Sequence, residues 1–405
     1  MQLKGKIFHL TGKVQHYAWG GFDYIPALLS IKNEDHKPFA EYWMGAHSSA
    51  SSVISDGTAE ASLEQLIKDD PANTITANVF QRFGELPYLF KILDVKDMLS
   101  IQVHPTKAEA VKGFDAEEAA GIPINAPNRN YKDKNHKPEV MVALSEFWLL
   151  HGFKQADAIE KTLQDIPEFN VLYGLFKREG TKALYRFVME MEQVDVDTML
   201  TSLVKRALSR KASNELTKEH PGWWISKLYE DGKEIKNIDR GIFSICFFNI
   251  VRLNPGEAIF QGAGIPHAYM EGQNVELMAN SDNVLRGGLT PKHIDVPELM
   301  KHTSFEGVTP AVLKGNDVGN HALNYPCPVP DFGIHKIELH GNKHESTAQS
   351  LEIIIAIEGG GVVNGTSSGN LVVRQGGAIA VLPGEAYSIE ASGKSIFYKA
   401  FVPQV

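Results

Sequence analysis

The chain has 405 residues, of which 43% are hydrophobic, and a formal net charge of -9 at pH 7. This length is enough for two or three domains that each bury a core, and the acidic excess argues against nucleic acid or an anionic membrane as the main partner. No segment has the length of a signal peptide core or of a bilayer span of roughly 20 apolar residues, so we expect a cytoplasmic protein. The two cysteines, Cys246 and Cys327, form no CxxC pair, which leaves His, Glu, Asp or Gln as the ligands of any metal.

Three segments of different composition follow one another along the chain. Up to Phe153, short apolar runs such as YLFKILDV and EVMVALSEFWLLHGF are interrupted by Pro and Gly, as is typical of β-strands. From 154 to 240, apolar residues recur at spacings of three and four, for example in VDTMLTSLVKRALSRKA, which predicts α-helices. Strand patterns return with DRGIFSICFFNIVRLNPGEAIF and continue to the end. We therefore predict a catalytic domain of 1–153 with 241–303, an inserted helical domain of 154–240, and a C-terminal domain of 304–405.

Gln102 and His104 stand two residues apart in LSIQVHPTK, alternating with Ile101 and Val103. On a β-strand this spacing turns the two polar side chains to one face and the apolar pair to the other. The polar pair could bind one metal ion, or it could be the solvated side of an edge strand. The spacing alone leaves both interpretations open.

Glu139 begins the apolar run EVMVA, and Lys137 precedes it by two residues in NHKPEV. Pro138 favours an extended conformation for Lys137, so we expect the two side chains to point inward together. A carboxylate at the start of a buried strand is costly unless it is paired or bound to a cation. This cost favours a functional position for Glu139.

His267 follows a corner of the chain in NPGEAIFQGAGIPHAY. The Pro-Gly pair predicts a tight turn, EAIF a short strand, and the later glycine and proline a change of direction that brings His267 to the mouth of a barrel. Such corners are typical of double-stranded β-helix barrels, the cupin or jelly-roll class. RQGGAIAVLPGEAYSI repeats the pattern with Tyr387 in place of a histidine. We therefore predict a mainly β fold with two such barrels, the second degenerate, although a purely packed His267 stays open at this point.

A polar cluster follows in VELMANSDNVLRGGLTPKH, where Ser, Asn and a Gly pair predict a loop at the rim of the barrel. Its polar members are Glu276, Asp282, Asn283 and Arg286. Asp282 and Arg286 are four apart and could form an ordinary surface ion pair. Such a pair would not account for the turn residues around it.

Gln102, His104, Glu139 and His267 would together offer nitrogen and oxygen ligands. This set suits zinc, with manganese, iron or cobalt as substitutes. Because only one ligand is charged, the site would keep a positive charge and could polarise a carbonyl group.

The combination of LSIQVHP, HKPE, PGEAIFQGAGIPHAY and ELMANSDNVLRGGLTPKH resembles the type I phosphomannose isomerases, zinc enzymes that interconvert mannose 6-phosphate and fructose 6-phosphate. VQHYAWGG and EYWMGAHSSASS extend the likeness to most of the chain. Four separated motifs in one order are far more specific than a single corner. One departure is Ala18, because the family often has an acidic residue before the Trp of YAWGG.

The resemblance implies one zinc ion, bound by Gln102, His104, Glu139 and His267. It also implies Arg286 as the catalytic arginine in a pocket that contains Trp19, Ser100, His136, Lys137, Glu276 and Asp282. The implied partner is a small sugar phosphate, and the implied state is a monomer.

An aldose–ketose isomerisation removes the proton at C2, passes through a cis-enediol and returns a proton to C1, so it needs a base and a charge stabiliser. We expect Lys137 to be the base, because nearby positive charge and partial burial favour its neutral form. Arg286 would stabilise the charge on O1 and O2, and His136 or Asp282 would assist ring opening. Arg286, Lys137 and Lys91 are candidate partners of the phosphate, and the sequence does not rank them.

Two other functions are compatible with the same barrel. One is a non-enzymatic sugar-binding protein, and the other is an oxygen-activating enzyme with iron held by two histidines and a carboxylate. The additional ligand Gln102 and the pair of Arg286 and Lys137 favour the sugar phosphate isomerase.

Overall fold

Antiparallel β-sheets form most of the molecule in the computed structural model, which describes residues 3–230 and 232–404. The strands of the first part of the chain are β1 Ile7–Thr11, β2 Lys13–Gln15, β3 Glu41–Gly45, β4 Val53–Ser55, β5 Glu60–Ser62, β6 Tyr88–Val95, β7 Gln102–Val103, β8 Glu139–Ala143 and β9 Phe147–Phe153. The next four are β10 Phe248–Leu253, β11 Ala258–Gln261, β12 His267–Ala279 and β13 Leu285–Arg286. The last part contributes β14 Asn316–Asp317, β15 Ala322–Tyr325, β16 Gly333–His340, β17 Lys343–Thr347, β18 Glu352–Glu358, β19 Gly360–Gly365, β20 Gly369–Arg374, β21 Ala378–Val381, β22 Ala386–Glu390 and β23 Lys394–Phe401.

The longest helices lie where helical periodicity is predicted. In chain order the helices are α1 Tyr24–Leu28, α2 Leu63–Asp69, α3 Pro71–Thr74, α4 Ala77–Phe83, α5 Lys107–Ala119, α6 Ala156–Asp165, α7 Asn170–Glu190, α8 Gln193–Ala212, α9 Pro221–Lys227, α10 Gly241–Phe247 and α11 Val296–His302. Helices α6 to α9 fall within 154–240 and share one buried apolar cluster with α10 and β9. None of the helices within 3–230 and 232–404 is both long and apolar enough to cross a bilayer.

Two local predictions from sequence are wrong. The run GIFSICF is the helix α10 and not a strand, and all seven of its residues are buried, so its apolar pattern carries no periodicity that separates helix from strand. Glu276 lies on the long strand β12 and not in a loop. The turn residues that predict the loop begin only after Ala279, where β12 ends.

Strand β12 connects the two sheets that surround the predicted site. Its first part pairs with β9, after which a bulge between Tyr269 and Glu271 bends it. Its second part pairs with β6 and β8. The sheet of β9, β10, β7 and β13 and the sheet of β11, β8, β6, β3 and β2 are thereby joined through one strand.

Alternation along the strands divides the interior between these sheets into an apolar and a polar level. The apolar level is formed by a buried cluster that includes Leu93, Met141, Leu149, Ile259 and Tyr269. Each of these residues has a polar residue two positions away on its own strand, namely Lys91, Glu139, His151, Gln261 and His267. All five polar residues are at most 7% exposed. The polar level is therefore a ring of inward-facing side chains above a hydrocarbon floor.

The N-terminal strand β1 belongs to the sheet of the last hundred residues. It lies between β21 and β4, with Ile7 opposite Val381 and Leu10 opposite Ile54. One apolar cluster also combines Phe8 and Phe90 with Ile353. The predicted segment 304–405 thus shares a sheet and a core with the first part of the chain.

Candidate metal centre and active site

Two imidazoles and one carboxylate meet at the polar level of the interior. Nε2 of His104 is 3.2 Å from Oε1 of Glu139, and Nε2 of His267 is 3.2 Å from Oε2 of Glu139. The candidate ligand atoms of the three residues lie within 4.8 Å of one another, and all three residues are buried. This arrangement brings together three of the four predicted metal ligands.

Backbone carbonyls fix the orientation of both imidazoles. Nδ1 of His104 lies 2.9 Å from the carbonyl oxygen of Asn283, and Nδ1 of His267 lies 2.9 Å from that of Ile265. Since a carbonyl only accepts, each Nδ1 carries the proton and each Nε2 presents a lone pair to the centre. Nε2 of His104 has no hydrogen-bond partner in the described part of the chain. A buried lone pair of this kind fits a metal ion.

The charge states of the ligands also suit a cation. Burial lowers the pKa of His104 to about 4, which keeps its imidazole neutral. Burial opposes the ionisation of Glu139, but the positive charge of Lys137 outweighs it and holds the pKa of Glu139 well below its ordinary value. Imidazole and carboxylate groups are common zinc ligands.

Gln102 lies beside this centre, between His267 and Arg286. In the antiparallel ladders it is opposite His267 of β12 on one side and Arg286 of β13 on the other. Residues opposite one another share a face of the sheet, so all three side chains belong to the same face. The role of Gln102 as a fourth ligand stays a prediction.

A cavity of about 550 Å³ leads to the centre, and a pocket of about 50 Å³ forms its deep end. Predicted site residues that line the larger cavity are Trp19, Lys91, Ser100, Gln102, Lys137, Asp282 and Arg286. Those that line the deep end are Lys91, Gln102, Lys137, Glu139, His267 and Glu276.

The two lysines of the cavity have different partners. Nζ of Lys91 is 3.0 Å from Oε2 of Glu276 and 3.5 Å from Oε2 of Glu41. Burial disfavours its charge, but these two carboxylates raise the pKa of Lys91 above its ordinary value. Nζ of Lys137 has one carboxylate nearby, at 3.4 Å from Oε1 of Glu139. Lys91 therefore stays in its charged form, whereas Lys137 contacts Glu139, one of the candidate metal ligands.

The structure does not bring His136 to the cavity. Its Nε2 lies 3.0 Å from Oδ1 of the buried Asp331. Side chains alternate along an extended chain, so His136 points outward where Lys137 and Glu139 point inward. Among the residues that the structure describes, those lining the cavity do not include His136.

Asp282 is at the cavity wall and pairs with a residue that the sequence did not single out. Its Oδ2 is 3.4 Å from Nε2 of His47, and the hydrogen bond to His47 lowers the pKa of Asp282. The alternative interpretation of Asp282 and Arg286 as a four-apart surface ion pair finds no support, because no such pair is among the ion pairs of the described residues.

The cavity is also lined by residues that were not predicted as site residues, namely Tyr17, Glu41, Trp43, Tyr269 and Lys292. Glu41 and Trp43 are two apart on β3, so the alternation in EYWMG could have placed them on one face. The stretch contains no metal-binding pattern, and although it contributed to the resemblance, no role was assigned to either residue.

The fold and the site together define a mainly β protein with a mononuclear metal centre of the kind found in metal-dependent enzymes, at the end of a cavity that contains cationic side chains. A model of the family "Phosphomannose isomerase type I, catalytic domain" matches residues 7–156. The mannose-6-phosphate isomerase of Escherichia coli K12 is 38% identical over 356 residues, which is 86% of this chain and 88% of that protein. The human mannose-6-phosphate isomerase is 32% identical over 95% of both chains.

Solved structures give the same result. The mannose 6-phosphate isomerase of Salmonella typhimurium, determined with bound substrate and a zinc atom, superposes with a TM-score of 0.86 at 35% identity, over 98% of this chain and all of that one. The chain belongs to the type I phosphomannose isomerase family. The predicted family is thereby confirmed.

Proposed function

We propose that the protein is a zinc-dependent mannose-6-phosphate isomerase, which interconverts mannose 6-phosphate and fructose 6-phosphate through a cis-enediol. The observation that carries the proposal is the buried cluster of His104, Glu139 and His267 at the end of a cavity that also contains Arg286 and Lys137. Membership of the family supports the same activity.

Zinc would be held by His104, Glu139, His267 and Gln102. When bound, it supplies a positive charge that polarises the sugar oxygens at C1 and C2. The protein prepares this site in advance, because the two carbonyl contacts fix both imidazoles before any ligand arrives.

Arg286 lies on the side of Gln102 that faces away from His267, and from there it supports substrate binding. It shares its face with Gln102 and lines the cavity together with Ser100, Thr290 and the exposed Lys292. We infer that the phosphate binds at this outer end, where cationic and hydroxyl groups meet. Lys91 is unsuited to that task, because its charge is already paired with Glu41 and Glu276 at the deep end.

Lys137 is the proposed base that moves the proton between C2 and C1. It lines both the cavity and its deep end, beside the carboxylate of Glu139. Lys91 in its charged form would instead stabilise negative charge on the oxygens. Asp282, held by His47, is the candidate that assists ring opening, whereas the contact of His136 with Asp331 gives no support to a direct role.

The fold supports a more specific description. The two sheets joined by β12 are consistent with a double-stranded β-helix of the cupin class, with α6 to α9 as an insertion and β16 to β23 as a second, degenerate barrel. Cytoplasmic location and a monomeric state stay predictions, and size-exclusion chromatography with light scattering tests the second.

Metal removal tests the function. The purified protein is treated with a chelator and then supplied with zinc or iron(II), and turnover of mannose 6-phosphate and of unphosphorylated mannose is measured. We expect turnover with zinc on the phosphorylated sugar and a large loss without metal or phosphate. A sugar-binding protein would show no turnover with either metal, and an oxygen-activating enzyme would require iron and consume oxygen. Family membership does not favour these two alternatives.

A further inference from the structure

A hydrogen bond between two buried side chains connects the sheets beside the metal centre. Nδ1 of His151 on β9 lies 2.8 Å from Oε1 of Gln261 on β11. Strand β11 pairs with β8, and β9 pairs with β10 and β12, so no backbone ladder joins β9 to β11 in the described residues. His151 and Gln261, called the seam pair here, therefore link the two sheets through side chains.

Each member of the seam pair lies directly beside one metal ligand. Gln261 is opposite Glu139 in the ladder of β11 and β8, and His151 is opposite His267 in the ladder of β12 and β9. Residues opposite one another have Cβ atoms about 4.5–5.5 Å apart on one face of the sheet. Strand β8 pairs directly with β12 only through the second part of β12, after the bulge. A change in the length of the seam hydrogen bond therefore changes the distance between Glu139 and the His267 end of β12.

Stability does not account for this pair. Gln261 is 0% exposed, and its Nε2 has no hydrogen-bond partner among the described residues. A buried unpaired amide costs free energy, whereas two apolar side chains of similar shape in place of a polar pair can be nearly neutral. The pair is better explained by its hydrogen bond, which fixes the position of β9 relative to β11.

The surroundings leave room for substitutions. His151 also lines a second cavity of about 540 Å³, bounded by residues that include Phe260, Leu313 and Cys327. Glu139 and His267 line the deep end of the first cavity instead. The seam pair thus lies between the metal centre and empty space, into which a larger aliphatic side chain can move.

We propose that His151 and Gln261 are positioning residues of the metal centre, which set the separation of Glu139 and His267 and thereby the affinity for zinc. The inference rests on the proposed metal-dependent function. Neither residue lines the substrate cavity or its deep end, so the pair acts through the ligands beside it.

The test compares Gln261→Leu and the double variant His151→Leu with Gln261→Leu against the parent protein. We expect the dissociation constant of zinc, measured by competition with a chelator, to rise roughly 10- to 100-fold, as for other groups that orient metal ligands. The absorption spectrum of the cobalt-substituted protein should change. The single and double variants should lose similar affinity, because either one breaks the same contact.

Two further measurements separate positioning from a merely structural role. The thermal midpoint of the metal-free double variant should stay within a few degrees of the parent, while kcat at saturating zinc falls and KM is kept. Tyr88→Phe is the matched control, since it removes a buried hydroxyl that donates to the carbonyl of Leu351, 3.0 Å away. This control should leave the affinity and the spectrum unchanged.

Zinc affinity and a cobalt spectrum equal to those of the parent would overturn the proposal, as would a loss of affinity that merely follows a loss of stability. Turnover by the unsubstituted protein tests the proposed function separately, because the metal measurements need no substrate.

Discussion

Lys137 and Lys91 lie in one cavity, but their neighbours give them different chemistry. Two carboxylates hold Lys91 charged, while Lys137 contacts only Glu139 among the carboxylates of the described residues. Position beside the metal centre therefore makes Lys137 the better candidate for moving a proton.

Replacement of Lys137 by Met should lower kcat by about 10²–10⁴-fold, the usual contribution of a general base. Incorporation of solvent deuterium at the substrate carbon should be lost, and zinc content should be unchanged. Lys112→Met is the control, because its side chain is 70% exposed. Deuterium exchange that survives in the Lys137 variant would assign the base to another residue.

Replacement of Lys91 by Met should affect stability more than a typical surface change. It leaves Glu41 and Glu276 buried without a counter-charge, which costs about 3–5 kcal/mol of the free energy of unfolding. Urea titration of the metal-free protein measures this cost. Lys394→Met, which breaks the exposed pair with Glu358, should produce no measurable change, and an equal effect of both variants would contradict the expected burial.

The sequence singled out His104, Glu139 and His267, which meet in the structure, but spacing alone left each of them open, and the resemblance to a known family combined them into one site. The sequence could not predict their neighbours. His47 contacts Asp282 from a loop more than 200 residues away along the chain, and the seam pair forms between strands with no shared motif. Such contacts depend on which strands come together and not on local pattern.

At the scale of elements, the short strand β13 places Arg286 and is followed by two glycines in a crowded position. Gly288 has a φ of +128°, and a Cβ at this residue would lie 2.6 Å from Cα of Gly241 at the start of α10. The strand can therefore approach the helix only because both residues lack side chains.

Gly288→Ala should displace β13 from α10 and move Arg286 away from Gln102. We expect kcat/KM to fall at least tenfold, together with a lower thermal midpoint. Gly256→Ala is a matched control, because φ is +85° but nothing lies within 4 Å of the added carbon. It should cost only about 1–2 kcal/mol of backbone strain and leave kcat/KM unaltered. Equal kinetics of the two variants would show that contact with α10 does not position the arginine.

Elements with local signals were the ones that sequence predicted well. YLFKILDV corresponds to β6, and the turn before β11 and the change of direction before His267 contain Gly256 and Gly264, both with positive φ. α10 was missed because a fully buried run has the same appearance in a helix and in a strand. Glu276 was misplaced because β12 extends thirteen residues, well beyond an ordinary strand.

At the scale of the whole molecule, two buried imidazoles and one half-buried imidazole predict sensitivity to acid. Burial lowers the pKa of His104, His151 and His335 from 6.5 to about 4. Below pH 6.5 the unfolded chain takes up protons that the folded protein does not, so the unfolded state gains stability. The contribution of these residues is complete above about pH 6.5 and is lost progressively towards pH 4.

The thermal midpoint of the metal-free protein should therefore fall between pH 6.5 and 4.5, as measured by calorimetry in the presence of a chelator. His335→Phe should reduce the change of the thermal midpoint with pH. The ring of His335 already packs edge-on against Phe401, and a phenyl ring in its place takes up no proton. A constant midpoint across this range would contradict the assignment.

The association of the first strand with the last sheet was beyond the sequence analysis. The apolar residues of β1 are compatible with a strand, but they do not indicate its partners. The pairing of Ile7 with Val381 joins segments that no motif connects. The sheet of the last hundred residues therefore includes one strand from the start of the chain, while the predicted domain boundaries stay a prediction.

The position of β1 beside β21 also separates the synthesis of the two paired strands in time. A ribosome adds about 5–20 residues per second, so on the order of 20–70 s separate the emergence of β1 from that of β21. During this interval Phe8 and Leu10 have no completed sheet to enter. Strand β4 emerges early and can pair with one edge of β1, but the edge that faces β21 stays open until translation is almost finished. That edge must be shielded in the nascent protein, which makes it a natural site for chaperone binding.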